Sequence, residues 1–361
     1  MGQNRRTFIK NTGLLLGGSM LPLGNIYAQF GQKQLGVCLV GLGTYSGQIL
    51  APALQLTKHC RLTGIVTGTP SKIPVWQKKY GIKDQNVYNY ETMDQIANNP
   101  DIDVIYIVLP TGLHAQYAIK AANTGKHVWC EKPMAKTAKE CQAIIDACEK
   151  NKVQLAIGYR MQHEPNTQQV IQWAKSKPYG DIKTVTAELG YHVKNVKPTW
   201  RINKKLGGGT MYDLGVYPLN AARYATGEEP ISVTAKQLNT RTDIFTETDE
   251  TMHFTLEFPS GVIANCKTSV ASNMHLLQMD CEKGWYKLAP FSMYNGVKGE
   301  ASDGKKLDQY IENQQAKQMD DDALAIINKQ PMLVPGVEGM KDIRIVEAIY
   351  KAAESGEKIT L

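Results

Sequence analysis

The stretch that most limits what this chain can fold into is 34–47, QLGVCLVGLGTYSG. A short apolar run, Leu35–Val40, meets a glycine-rich turn, Gly41-Leu42-Gly43-Thr44-Tyr45-Ser46. A segment with helical apolar spacing follows (Ile49, Leu50, Ala53, Leu54, Leu56). Strand, tight turn and helix start in that order make a phosphate cradle. Glycine lets the chain turn sharply and lets a pyrophosphate come close. The unpaired N–H groups and dipole of the helix start then favour the anion. Gly41, Gly43, Thr44, Tyr45 and Ser46 are therefore candidate dinucleotide contacts. Ser46 stands where the G-x-G-x-x-G pattern has its third glycine, and a small residue there still permits close helix–strand packing. Glycine-rich turns also arise for steric reasons alone, so the rest of the chain has to decide.

The next hundred residues keep the same rhythm. Residues 61–67, 103–109, 127–130 and 153–157 read as apolar strands, and 137–150 has helical spacing. Strands alternating with helices imply a parallel sheet with right-handed crossovers, whose ligands bind at the strands' C-terminal ends. Leu109, Pro110, His114 and Glu131 sit near such ends and join the cofactor candidates. A capping or packing role for His114 fits the sequence as well. NAD-binding sheets usually carry Asp or Glu after the second strand, to accept from the ribose 2′-OH. No acid lies between Arg61 and Lys83. Thr67 and Lys72 are there instead, and a hydroxyl with an ammonium suits a 2′-phosphate that a carboxylate would repel. NADP is favoured over NAD; the plain alternative is that Lys72 is a solvated helix-start lysine.

After 157 the pattern changes. Strands are expected at 180–192 (alternating through Ile182, Val185, Ala187 and Leu189), 231–238, 251–258, 262–270, 276–281 and 285–288. Helical spacing occupies 210–224, 309–328 and 338–354. The fold class expected is α/β. A Rossmann dinucleotide-binding domain covers 31–156. An α+β domain with a large open, mostly antiparallel sheet covers 157–361, with helices on one face and the other free for a partner subunit.

Residues 1–30 stand apart. Arg5-Arg6 opens a basic region, a glycine-rich apolar stretch spans 14–23, and Ile26-Tyr27-Ala28 offers a small residue before a cut. That is the layout of a twin-arginine signal, so export to the periplasm is expected; a basic N-terminal arm is the alternative. No later apolar run reaches the length of a membrane span. The formal charge is +7, of which Arg5, Arg6 and Lys10 supply three. No basic stripe interleaved with aromatics points to nucleic acid. Seven cysteines without a C-x-x-C read as small buried hydrophobes. His163, His192, His253 and His275 have no ligand spacing, so no metal site is expected.

Several stretches together resemble one family. They are the G-x-G-x-x-S turn, Leu113-His114-Ala115, Cys130-Glu131-Lys132-Pro133-Met134-Ala135, Ile157-Gly158-Tyr159-Arg160, Trp200-Arg201, Gly207-Gly208-Gly209, Asp213-Leu214-Gly215-Val216-Tyr217 and Pro335-Gly336-Val337-Glu338-Gly339-Met340. In this order and spacing, over about 34–361, they resemble the Gfo/Idh/MocA oxidoreductases, and within them the glucose–fructose oxidoreductase group. The resemblance implies that the residue at Tyr217 transfers a proton, that Asp213 lies beside it, and that Thr67 and Lys72 handle the NADP 2′-phosphate. It also implies twin-arginine export and pairing of subunits through the second sheet, as a homodimer or homotetramer.

The residues make chemical sense of those roles. Lys132, at a strand end, can donate to a substrate hydroxyl and to the cofactor, and the bond to Pro133 is a candidate for cis. Asp213 and Tyr217, four apart in a helical pattern, can face one cleft. Oxidising a sugar alcohol needs a base for the O–H proton while hydride leaves carbon. A free phenol, with a pKa of about 10, is a poor base at neutral pH, and Lys132 beside it would stabilise phenolate. A buried structural tyrosine is the alternative. Tyr159, Arg160, Trp200 and Arg201 are candidate sugar contacts, the two arginines equally able to serve as interdomain salt bridges. The expected activity is an exported, NADP-dependent sugar oxidoreductase that holds its nicotinamide tightly. A glycoside 3-dehydrogenase or an NAD-dependent redox-assisted glycosidase is the alternative.

Overall fold

A computed structural model describes residues 34–361; the export signal expected over 1–30 lies outside them. Six strands form the first sheet: β1 Leu35–Val40, β2 Cys60–Val66, β3 Val87–Tyr88, β4 Val104–Ile107, β5 His127–Cys130 and β6 Leu155–Ile157. They run parallel in the order β3-β2-β1-β4-β5-β6, the order of a dinucleotide-binding sheet with its crevice between β1 and β4. Helices α1 (44–53), α2 Ile73–Tyr80, α3 Thr111–Ala122 and α4 Ala138–Lys150 connect them. Thr137 starts α4 with a capping box, its side chain accepting from Glu140 N–H while Glu140 reaches back.

These strands are apolar along their whole length because both faces are covered. Val37 and Leu39 of β1 join a core made with α1, while Cys38 and Val40 face a second core that runs on into the rest of the molecule.

Nine strands form the second sheet: β7 Ile182–Gly190, β8 Ser232–Leu238, β9 Thr251–Glu257, β10 Ile263–Ser269, β11 Met274–Cys281, β12 Gly284–Leu288, β13 Gly299–Ala301, β14 Lys306–Leu307 and β15 Ile359–Thr360. The order is β14-β13-β12-β11-β7-β10-β9-β8-β15, antiparallel except where β7 meets β10. Val185, Ala187 and Leu189 point into the core and alternate with Thr184, Thr186 and Glu188. Of the helices, α5 Pro165–Ser176 packs on α6 Val216–Thr226, and α6 on β7 and β10. Helix α7 Gln314–Ile327 goes elsewhere. It packs on β2 and α1 of the first sheet through Ala316, Met319 and Ala323. The Asp320 carboxylate accepts from the Lys58 and His59 N–H groups. Helix α8 Gly336–Ser355 covers β8 and also meets α4 and β6. All seven cysteines are free, six of them buried. Among the described residues, no helix is long and apolar enough to cross a membrane.

Candidate active site

The cleft that matters opens along the C-terminal ends of β1, β2, β4 and β5, with room for about 500 Å³. Its first end is the glycine turn. Gly41 has φ +93°, and a side chain there would meet the Val108 carbonyl oxygen at 2.5 Å. A side chain at Gly43 would instead stand in open space, and Gly43 lines the cleft. The missing side chain leaves a hollow for a phosphate, beside the unpaired N–H groups of the α1 start. Ser46 is buried and donates its hydroxyl to the Gly41 carbonyl at 2.5 Å. The residue in the third glycine position thus fastens the turn as well as fitting under it.

Thr67 and Lys72 line the same end. Lys72 Nζ donates to the Leu42 carbonyl at 2.7 Å, which holds the ammonium against the turn with two further donors spare. Thr67 Oγ1 accepts from Thr69 N–H at 3.1 Å and can still donate. The carboxylates lining the cleft are Glu131 and Asp213, both at its other end. Thr44, Tyr45, Leu109 and Pro110 line the cleft as expected, together with Tyr90, which the sequence did not single out. The residues present fit a nicotinamide dinucleotide.

The other end is assembled from distant segments. Glu131 and Lys132 follow β5, and the Lys132–Pro133 bond is cis. Glu131 is buried and accepts from Tyr106 Oη at 2.6 Å. Burial pushes its carboxyl up, against the opposing pull of Tyr106 and Lys132. Lys132 Nζ donates to the Asp213 backbone carbonyl at 2.8 Å and sits 4.6 Å from the centre of the Tyr217 ring. Asp213 lies in a wide, π-helical turn, Met211–Gly215, that leads into α6 and Tyr217. Such turns recur at functional sites. Buried Asp249 anchors the turn, accepting from Met211 N–H at 2.7 Å and from Tyr350 Oη at 2.6 Å.

The Asp213 side chain takes Arg201 Nε at 2.8 Å, and Arg201 stacks on Trp200. The glycine run makes this approach possible: a side chain at Gly208 would meet the Trp200 and Arg201 carbonyl oxygens at 2.6 Å. Trp200, Arg201, Asp213, Tyr217 and Lys132 all line the cleft, joined by Tyr294. Tyr294 comes from a turn-rich segment with no periodic pattern, so nothing in the sequence marked it.

Three expected contacts fall behind the wall instead. The His114 ring is buried, its nitrogens facing the Leu109 and Pro133 carbonyls at 2.7 and 2.8 Å. Burial holds it below the usual histidine range. It ties the α3 start to the segment after β5 and does not face the cofactor space. Tyr159 is buried beside Asp342 and Arg223. Arg160 is buried and bonds to Gln314 and to the Ser292 and Met293 carbonyls, with no ion pair among the described residues. Both were expected to touch sugar; both lie deeper. No group of His, Cys, Asp or Glu able to hold a metal occurs among the described residues.

Comparison with known proteins agrees with this geometry. Residues 35–159 match the family model "Oxidoreductase family, NAD-binding Rossmann fold", and residues 167–287 match the "GFO/IDH/MocA C-terminal domain". A crystal structure of aldose–aldose oxidoreductase from Caulobacter crescentus superposes with a TM-score of 0.88 at 37% identity. It covers 91% of this chain and 100% of that one. D-xylose 1-dehydrogenase [NADP(+)] of Haloarcula marismortui is 25% identical over 90% of this chain and 92% of its own. D-glucoside 3-dehydrogenase of Escherichia coli is 25% identical over 91% and 97%.

Proposed function

The chain belongs to the Gfo/Idh/MocA oxidoreductases, and we propose that it is an exported, NADP-dependent sugar oxidoreductase that oxidises one sugar and reduces another without releasing its cofactor. The observation that carries this reading is the convergence of Lys132, Asp213 and Tyr217 at one end of a cleft whose other end is a phosphate cradle. The likeness to an aldose–aldose oxidoreductase over nearly the whole described chain supports it. Thr67, Lys72 and the lack of a carboxylate at that end support NADP, as does the name of the NADP(+)-dependent xylose relative.

The bound nicotinamide supplies hydride acceptance and donation at carbon. The chain's own residues handle the oxygen and its proton. Tyr217 Oη takes the proton from the sugar hydroxyl as the carbonyl forms and returns it when a second sugar is reduced. Lys132 uses one N–H on Asp213 and keeps two to hold the reacting oxygen. Arg201, fixed by Asp213, donates to neighbouring hydroxyls, and the Trp200 ring offers a face to sugar C–H groups. The twin arginines at 5 and 6 support export with the cofactor already loaded. The half-buried polar face of the second sheet, with Glu188, His253, Thr255 and Lys267, supports a homodimer or homotetramer.

One observation favours a second reading, a glycoside 3-dehydrogenase. An apolar pocket of about 210 Å³, lined by Val193, Val196, Ile202, Phe245 and Val270, shares Arg201 and Asp213 with the cleft. It has room for an aglycone. The NAD-dependent redox-assisted glycosidase is disfavoured by the missing acid after β2. The experiment is to denature purified protein, identify the nucleotide released, and mix the native protein with aldoses and with aryl glycosides. Released NADP(H) and aldose-driven absorbance at about 340 nm are expected. NAD alone would overturn the cofactor assignment, and oxidation of glycosides alone would promote the second reading.

A further inference from the structure

Arg160 is an expensive residue to place where it is. Its side chain is buried, at 2% exposure. A guanidinium taken out of water costs several kcal/mol unless an anion or full hydrogen bonding compensates it. Its partners are neutral: Gln314 Oε1, the Met161 sulfur at 2.8 Å, the Ser292 carbonyl at 2.5 Å, the Met293 carbonyl at 3.4 Å and the Tyr217 side chain. Its Nε has no partner. Glu131 is near enough to feel the charge, but its carboxylate accepts from Tyr106 Oη.

What surrounds Arg160 is phenol. The guanidinium carbon lies 4.6 Å from the Tyr294 ring centre and 5.4 Å from that of Tyr217, and Tyr45 and Tyr191 are close enough to interact. Burial works against the arginine's charge, while the electron-rich ring faces of Tyr217 and Tyr294 favour it. Burial pushes the phenols of Tyr45, Tyr191 and Tyr294 up, so they stay neutral. Around Tyr217 stand Lys132 from the end of β5, Tyr159 and Arg160 from beyond β6, Tyr45 from α1, Tyr191 from beyond β7, Tyr294, and Asp213 on its own turn. Asp213 is paired with Arg201. Lys132 lines the cleft, where the proposed function has it hold the substrate oxygen, whereas Arg160 does not line it. A charge away from solvent is screened least.

We propose that Arg160 is a positioning residue for proton transfer: its guanidinium supplies the standing positive charge that lets the Tyr217 oxygen stay negative once its proton has gone. The role assigned to Tyr217 rests on the proposed function; the charge coupling between the two side chains does not.

The test labels tyrosine at the ring carbon bearing oxygen and follows the resonance that disappears in Tyr217→Phe over about pH 6 to 11. Arg160→Gln should move its titration midpoint up by about 1 to 2 pH units, and Arg160→Lys by less. The rising limb of kcat for aldose oxidation should move with it, so that the loss seen at neutral pH is recovered in alkali while KM changes little. A merely structural role would lower kcat equally at every pH. An unmoved midpoint in Arg160→Gln overturns the proposal. Should that variant fail to fold, Gln314→Glu sets a carboxylate on the guanidinium and should raise the midpoint in the same direction; an unmoved midpoint there overturns it equally. If no sugar is oxidised, the functional reading fails while the midpoint still decides the role of Arg160.

Discussion

The two ends of the cleft are built on different plans. The phosphate end is local: Gly41, Gly43 and Ser46 lie within six residues, and their effect depends on backbone shape. The reaction end joins side chains from the strand end at Lys132, from the loop at Arg201, from α6 at Tyr217 and from the segment holding Tyr294, backed by Arg160 from beyond β6. One end needs a few correct dihedral angles, the other needs the whole molecule to be folded. Damage should therefore separate: changes at the turn should cost cofactor, and changes at the far end should cost rate.

Tyr217→Phe gives the largest separation. Loss of the proton-transferring hydroxyl should lower kcat by about 10³-fold, with cofactor affinity left within about twofold, read by stopped-flow reduction beside calorimetric binding. Loss of both together would mean that the two ends are one unit. Gly41→Ala should do the converse. An alanine at φ +93°, pressed on the Val108 carbonyl, should cost about 2 to 3 kcal/mol of stability. It should weaken the cofactor by about 100-fold, while kcat at saturating cofactor stays near wild type. Lys72→Ala is the mildest. Removing one charge-assisted contact should weaken NADP by about tenfold and leave NAD unchanged; equal losses for both would free Lys72 from the 2′-phosphate and leave it only its bond to Leu42.

The same contrast explains what could be read from the chain. β1, its turn and the helix start were legible because their causes are contiguous. Residues 127–130 came out as the strand expected, while those expected at 103–109 and 153–157 came out shorter. β3, β14 and β15, two residues each, carry too little pattern to be read. Amphipathic spacing in α7 announced a helix but not which sheet it covers, because periodicity reports a buried face and not its partner. Lys132, Asp213 and Tyr217 were legible through resemblance, and the cleft collects them. Arg160 was placed on the right segment with the wrong neighbour. The Ser292 carbonyl and Gln314 that draw it behind Tyr217 are more than 130 residues away in sequence, and no local pattern encodes that.

Helix α7 carries one more consequence. It closes the core of the first sheet and, through Gln314, also holds the guanidinium behind Tyr217. The nucleotide-binding half is thus encoded in two separated pieces of the gene. A cut after β6 would deliver a sheet with part of one side uncovered, and a graft of that segment onto another catalytic domain would arrive without part of its cover. Exchange between relatives should succeed only when 314–327 travels with the first 150 or so residues, which makes this a chain that can trade its halves hardly at all.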